Sequence, residues 1–108
     1  MKKEKLGDCF VSAFRKQQNN RHFILVHALI TGQGAIEGII YNHAWCEHDG
    51  FVYDDTLPDN FKKMKKEIYY SLARVQTTFK YNEKQTLLKI LEFKTYGPWE
   101  EVLINNKF

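Results

Sequence analysis

Apolar and polar positions along the first thirty residues predict a helix followed by a strand. Residues 8–20 place Phe10, Ala13 and Phe14 at helical spacing, and Asp8 is a suitable N-cap. Residues 22–30, HFILVHALI, form an almost unbroken run of apolar and β-forming side chains. Such a run is typical of a strand that is buried on both faces. We expect it to be the central strand of a sheet.

The next fifty residues predict more strands. Residues 38–47 and 51–55 flank His48-Asp49-Gly50, and Asp-Gly is a strong signal for a β-hairpin. Residues 59–66, DNFKKMKK, predict a short basic helix after Pro58. Residues 68–79 combine apolar residues at helical spacing with a high content of Tyr, Val, Thr and Phe. For this last segment we predict a strand.

The C-terminal part predicts one more helix. Asn82 followed by Gln85 is typical of a capping box. The helix gains an apolar face from Leu87, Leu88, Ile90 and Leu91. Tyr96-Gly97-Pro98-Trp99 ends it, as a turn that docks an aromatic ring into the core. The order of elements therefore predicts an α+β fold, with an N-terminal helix on an antiparallel sheet and a further C-terminal helix, in a single domain over residues 1–108.

Composition sets limits on partners and compartment. The 108 residues, 44% of them hydrophobic and 15% aromatic, suffice for one core. A net charge of +3 favours solubility and does not demand a nucleic-acid or membrane partner. No segment approaches the about 20 apolar residues of a membrane span, so we expect a cytoplasmic protein. Cys9 and Cys46 are too few for a disulfide framework and are expected to be free thiols.

Cys9 is placed for nucleophilic chemistry. It falls in the first turn of the predicted N-terminal helix. Unpaired backbone N–H groups and the helix dipole there stabilise a thiolate, and the same N–H groups can hold an oxyanion. The sequence therefore predicts a nucleophile that still needs a base.

The hairpin can supply that base and its partner. With Asp49-Gly50 as the two loop residues, Trp45 faces Asp54 and His43 faces Thr56. His43 and Asp54 then become diagonal neighbours on one face, with Cβ atoms at about 7–8 Å or less. We therefore predict a triad with Cys9 as nucleophile, His43 as general base and then acid, and Asp54 as the group that orients His43.

The segments GDCF, HAW and GFVYDDT resemble the core of the transglutaminase-like and papain-like cysteine enzymes, over about residues 7–56. Phe51 and Asp55 stand where Trp and Pro are common in that family. The closing YGPW is similar to small bacterial and phage papain-like proteins of unassigned substrate. The positions that match are Cys9, His43, Trp45 and Asp54, with Gly50 and Thr56 as flanking matches.

The resemblance implies a papain-like or transglutaminase-like fold and a thiol hydrolase or transferase. The thiolate attacks an amide carbonyl, a thioester forms, and the acyl group passes to water or to an amine. The acceptor distinguishes a peptidase, a deamidase and a cross-linking enzyme, and the sequence does not fix it. We expect a peptide, a protein side-chain amide or a small amide as substrate, and no cofactor.

Several of these residues have alternative interpretations. Trp45 is interpreted as a core residue or as a wall beside the substrate. Asp55 is a possible substitute for Asp54, although it points to the opposite face. His27 is interpreted as a hydrogen-bonded core histidine and His22 as a polar residue at a strand end. Asn19 and Asn20 could supply an oxyanion donor, but a loop that ends the helix explains them better.

Three other interpretations of the chain concern a metal site, nucleic acid and a protein without turnover. Cys46 and His48 share the second face of the hairpin and, with His27, are residue types that bind zinc. A zinc site usually has two pairs of ligands, each pair closely spaced in the sequence, and this chain lacks that pattern. We therefore expect no metal. The run Lys62–Lys66 with Tyr69 and Tyr70 could bind nucleic acid, although such a run is more often the solvated face of a helix. A binding or inhibitor protein that keeps the fold without turnover is the remaining alternative.

Overall fold

A computed structural model describes residues 8–106 of the chain. Four α-helices lie at Asp8–Asn19 (α1), Lys66–Ala73 (α2), Glu83–Phe93 (α3) and Glu101–Ile104 (α4). Five strands lie at Ile24–Thr31 (β1), Ile40–His48 (β2), Phe51–Tyr53 (β3), Lys63–Lys65 (β4) and Thr77–Tyr81 (β5). The predicted α+β class is confirmed. Within the described range, no helix is long and apolar enough to cross a membrane.

The five strands form one antiparallel sheet in the order β4-β3-β2-β1-β5. The prediction that β1 is the central strand is therefore wrong by one position, because β2 lies in the middle of the sheet. β1 is nevertheless paired on both edges and largely buried on both faces. Its apolar run reflects an internal strand with helices on each side, and does not specify the middle position. β1 begins at Ile24, so His22 lies in the exposed turn before it.

The hairpin of β2 and β3 has the predicted register. His48 pairs with Phe51, and Cys46 pairs with Tyr53. The two loop residues, Asp49 and Gly50, have φ values of 53° and 81°. Positive φ at both positions is what a type I′ turn requires, and it matches the twist of the flanking strands. The register is thus fixed locally, by the turn.

Each face of the sheet is covered by a different helix. Leu25, Ala44 and Cys46 lie in one core cluster with α1 residues such as Phe10 and Ala13. The second cluster covers the opposite face and includes Val26, Trp45 and Val52 together with Tyr69 of α2. Because side chains alternate along a strand, neighbouring residues of β1 and β2 belong to different clusters. His43, two residues before Trp45, therefore lies on the face that α2 covers.

The basic helix predicted at 59–66 is wrong. Only Asp59–Phe61 form a short 3₁₀ helix, and Lys63–Lys65 form β4, which pairs with β3. Met64 packs against the second cluster, while Lys63 and Lys65 are exposed. This alternation has the period of a strand, and lysines are common on edge strands because they discourage pairing with another sheet.

The strand predicted at about 68–79 is a helix followed by a strand. α2 ends at Ala73, and Arg74 adopts a left-handed conformation with φ of 50°. The chain then enters β5, whose first residue is Thr77. The helical spacing of apolar residues in the first half of the segment corresponds to α2, and the β-forming residues of the second half correspond to β5. The prediction failed because Arg74, a residue with no turn preference, separates them.

The capping box of Asn82 and Gln85 is confirmed at the start of α3. The predicted apolar face is wrong, because Leu87, Leu88 and Leu91 are exposed and only Ile90 is partly buried. The helix instead turns Thr86 and Ile90 inward, a pair at (i, i+4). The ring of Trp99 is buried after the turn at Gly97, as predicted. The short helix α4 was not predicted.

Candidate active site

Cys9 lies in the first turn of α1, as the sequence predicts. Asp8 is the first residue of the helix. Its predicted role as N-cap depends on the Asp8 side chain, which lies outside the described part of the structure. Cys9 packs with Phe10 and Ala13 and is 7% exposed. The first N–H groups of an α-helix have no partner within the helix, and Cys9 lies among them in α1.

His43 and Asp54 form a direct pair. Nε2 of His43 lies 2.8 Å from Oδ2 of Asp54, and the His43 side chain is 13% exposed. β3 ends at Tyr53, so Asp54 is the first residue after the strand. The predicted proximity of His43 and Asp54 is confirmed, but the ladder of β2 and β3 stops at Tyr53, so Asp54 is not itself a paired strand residue. Because Asp54 occupies Nε2, Nδ1 is the ring nitrogen left for another partner.

Asp54 is held by several donors. Oδ1 accepts hydrogen bonds from the backbone N–H and the hydroxyl of Thr56, at 3.0 and 2.6 Å. Oδ2 accepts from the hydroxyl of Tyr69 at 2.7 Å in addition to its contact with His43. Burial opposes the charged form, but the hydrogen bonds and the charge of His43 lower the pKa of Asp54 below its usual range. The carboxylate is therefore a fixed anion.

The pKa of His43 reflects both of its neighbours. Burial lowers it, but hydrogen bonds to Asp54 and Cys9, and the charges of those two groups, together raise the pKa to about 10. The imidazolium form of His43 is thus stabilised. Asp54 and Cys9 both interact with His43, so the structure brings the three predicted residues together.

The contact between Cys9 and His43 links the two faces of the sheet. α1 covers the face of Cys46, whereas His43 is on the face of Trp45. β3 pairs with β2 only from Cys46 to His48, so at His43 β2 has a strand neighbour on one side alone. This open edge lets a residue at the start of α1 interact with a side chain of the opposite face.

Trp45 and Asp55 do not belong to the exposed part of this site. The Trp45 ring lies 6.0 Å from the His43 ring, centroid to centroid, but is only 1% exposed, and its N–H donates to Glu47. The prediction that Trp45 contacts a substrate is therefore corrected: Trp45 is a core residue next to His43. Asp55 is exposed and pairs with Lys16 at 3.4 Å. It is not a substitute for Asp54.

Cys46, His48 and His27 have separate environments. Sγ of Cys46 donates to the Ala13 carbonyl at 3.2 Å, and burial raises its pKa to about 12. His48 stacks on Phe23. His27 is fully buried among aromatic rings and, contrary to prediction, neither ring nitrogen has a hydrogen-bond partner among residues 8–106. No group of three or more possible metal-ligating side chains occurs in that same range.

The lysine run is split between different partners. Lys62 pairs with Asp59 and Lys66 with Glu47, while Nζ of Lys63 lies over the Phe51 ring. Tyr69 and Tyr70 both turn inward, and their hydroxyls donate to Asp54 and Glu47. Their rings are not free to stack on bases. Asn20 donates to the Lys16 carbonyl at the end of α1, which agrees with a helix-ending loop.

Tyr69 is the residue of the site that the sequence analysis missed. The sequence suggests for Tyr69 only a base-stacking role in a predicted strand. Tyr69 and Ala73 are spaced as neighbours on one face of a helix, and both pack on the second cluster. A helical interpretation of residues 66–73 would have turned Tyr69 toward the sheet and the hairpin.

Comparisons of this chain with protein-family models, with curated protein sequences and with solved structures give no match.

Proposed function

We propose that the protein is a cysteine-dependent amide hydrolase or acyl transferase of the papain-like or transglutaminase-like type. The observation that carries the proposal is the 2.8 Å contact of His43 with Asp54, combined with the interaction of His43 and Cys9. A nucleophile, a base and a group that orients the base are the three parts that thiol catalysis needs. The resemblance of the segments around these residues to that superfamily supports the same assignment.

The proposed reaction proceeds in two steps. His43 accepts the thiol proton of Cys9, and the sulfur attacks the amide carbonyl carbon. The carbon–nitrogen bond then breaks as His43 gives its proton to the leaving nitrogen, which leaves a thioester on Cys9. In the second step water or an amine attacks the thioester, His43 takes a proton from it, and the carbon–sulfur bond breaks to restore the thiol.

Two further features support this mechanism. Asp54 stays ionised and contacts Nε2, so it fixes the ring orientation and stabilises the imidazolium form. The N–H groups in the first turn of α1, the turn that carries Cys9, have no partner within the helix and can hold the oxyanion of the tetrahedral intermediate. We propose a peptide, a protein side-chain amide or a small amide as the substrate.

The test is labelling of the full chain with a vinyl sulfone, followed by mass spectrometry. We expect rapid modification of Cys9 and none of Cys46, which is fully buried. His43→Ala should slow the labelling of Cys9 strongly, whereas the matched change His48→Ala on the other face of the hairpin should not. Equal labelling of both cysteines, or labelling of Cys9 that His43→Ala leaves unchanged, contradicts the proposal.

A binding protein that retains the fold is the second candidate. The observation that favours it is the low exposure of Cys9, 7%, which leaves little of the side chain open to an attacked carbon. Slow vinyl sulfone labelling of Cys9 in the native protein, at the rate seen for Cys46, would support this candidate over the enzyme.

A further inference from the structure

A cavity of about 410 Å³ opens on the face of the sheet that α2 covers. His43 and Asp54 are among the residues that line it. Its volume is within the about 300–1,000 Å³ that is typical of small-molecule sites. Most of the remaining wall is apolar and includes Ile30, Ile36, Leu57, Met64, Leu72 and Ala73.

The cavity has a buried floor and an exposed apolar rim. Ile30 and Tyr69 are almost fully buried, whereas Phe61 and Leu72 are each 55% exposed. The hydroxyl of Tyr69 and the side chain of Thr56 are already bonded to Asp54. The other polar side chains of the wall are those of Thr31, Gln33 and Tyr41. An occupant therefore meets mainly carbon atoms, together with these groups and His43. Apolar side chains left in water at a mouth are a feature of binding sites for apolar groups.

The position of the cavity relative to the three site residues decides which part of a substrate it faces. His43 and Asp54 line it, but Cys9 does not. In thiol catalysis the acyl carbon bonds to the sulfur, while the leaving nitrogen takes its proton from the histidine. A group that extends from the nitrogen past His43 would enter this cavity. A group on the acyl carbon would extend from Cys9 instead.

We propose that this cavity binds an apolar group on the amine side of the amide, of about the size of a leucine or phenylalanine side chain. The inference rests on the proposed function of Cys9, His43 and Asp54. Since the acceptor enters where the leaving amine departs, an apolar primary amine would use the same cavity. Its nitrogen would form the new bond to the acyl carbon as the carbon–sulfur bond breaks, and its proton would pass through His43 to the sulfur.

Two isomeric amides test which side of the bond the cavity serves. N-benzylacetamide carries its phenyl group on the amine side, and N-methylphenylacetamide carries it on the acyl side. We expect the wild-type protein to cleave N-benzylacetamide with a kcat/KM about tenfold or more above that of its isomer. Equal values, or the reverse order, overturn the inference and leave the thiol mechanism standing.

Binding is measured separately in Cys9→Ala protein, which cannot turn over, by NMR titration with N-benzylacetamide. Leu72→Glu at the rim should weaken binding about tenfold or more. Leu88→Glu is the matched control, because Leu88 is also 55% exposed on a helix but lies outside the cavity. Equal weakening by both changes, or by neither, overturns the inference. Binding with the expected pattern but no cleavage of either isomer overturns the proposed function, and with it the amine-side assignment.

Discussion

His43 and Asp54 contact each other at 2.8 Å although Asp54 lies just beyond the end of β3. The pairing depends on the hairpin register for His43 and on the turn at Thr56 for Asp54, whose carboxylate accepts from the Thr56 backbone two residues later. The position of the Asp54 carboxylate therefore depends both on the pairing of β2 with β3 and on the turn that its side chain forms with Thr56.

Asp54→Asn should lower the pKa of His43. The hydrogen bond to Asp54 is the largest of the effects that raise this pKa from 6.5 to about 10, and the charge of Asp54 raises it further. An amide has no charge and retains at most a weak bond. We expect the value to fall toward 6.5, as read from the ring protons of His43 in an NMR titration. Asp55→Asn, at the exposed neighbour, should leave it unchanged. A value near 10 in Asp54→Asn protein would contradict the assignment.

Tyr69→Phe should destabilise the fold. The change removes a donor to a buried carboxylate, and hydrogen bonds to charged groups contribute about 1.5–3 kcal/mol. We expect a loss of about 1.5 kcal/mol or more in the free energy of unfolding, measured in urea at pH 7. Tyr69→Phe should also raise the pKa of Asp54, which a packing role for the ring would not do.

The matched control for that change is Tyr53→Phe. The Tyr53 ring stacks on Phe23, but its hydroxyl has no hydrogen bond to any of residues 8–106. We expect a stability change of at most about 0.5 kcal/mol. If the two variants lose the same stability, the contact of Tyr69 with Asp54 is not what stabilises α2 on the sheet.

Mild acid should destabilise the protein through His27. Burial lowers the pKa of His27 from 6.5 to about 3, so the neutral ring contributes stability that is present above pH 6.5 and is lost as the pH falls toward about 3. The loss is on the order of 1.4 kcal/mol for each pH unit below 6.5. The raised pKa of His43 acts in the other direction, but its contribution is already complete below pH 6.5.

The measurement is the free energy of unfolding between pH 7 and pH 5. His27→Leu should flatten the decline, whatever it does to stability at pH 7. His22→Leu, at the exposed turn before β1, should keep the slope of the native protein. The same slope in all three proteins would show that His27 does not control stability in this range.

Asp49→Val should weaken the hairpin. Asp49 has φ of 53°, a region that costs a β-branched residue about 1–2 kcal/mol, whereas Asn adopts it readily. Thermal unfolding of Asp49→Val should show a loss of that size, and Asp49→Asn should match the native protein. Equal melting temperatures for the two variants would mean that the turn conformation contributes nothing to the stability of the sheet.

The sequence predicts best what local geometry determines. The register of the hairpin that carries His43 follows from one Asp-Gly turn and the alternation of a strand, and the turn at Thr56 completes the placement of Asp54. The position of Cys9 follows from the start of one helix. The papain-like architecture implied by the resemblance stays a prediction, as does the cytoplasmic location.

Features that depend on distant packing were not predictable in the same way. Residues 66–81 carry two opposing signals, and the first part forms a helix whose Tyr69 packs against Trp45 and whose Ala73 packs on the same core cluster. The inward face of α3 likewise depends on where the helix meets the sheet, and the leucines that give its sequence an amphipathic appearance remain in water. Intrinsic preference is a weak guide where such tertiary contacts decide.

Asp54 belongs to the architecture as much as to the proposed chemistry. It receives hydrogen bonds from Thr56 and Tyr69, so its removal would disturb the end of the hairpin and α2 even in a chain without activity. Cys9 is different, because another small apolar side chain could fill its place in the core. If related chains diverge in activity, the residue at position 9 would distinguish enzymes from inactive descendants, while an aspartate at position 54 would persist in both.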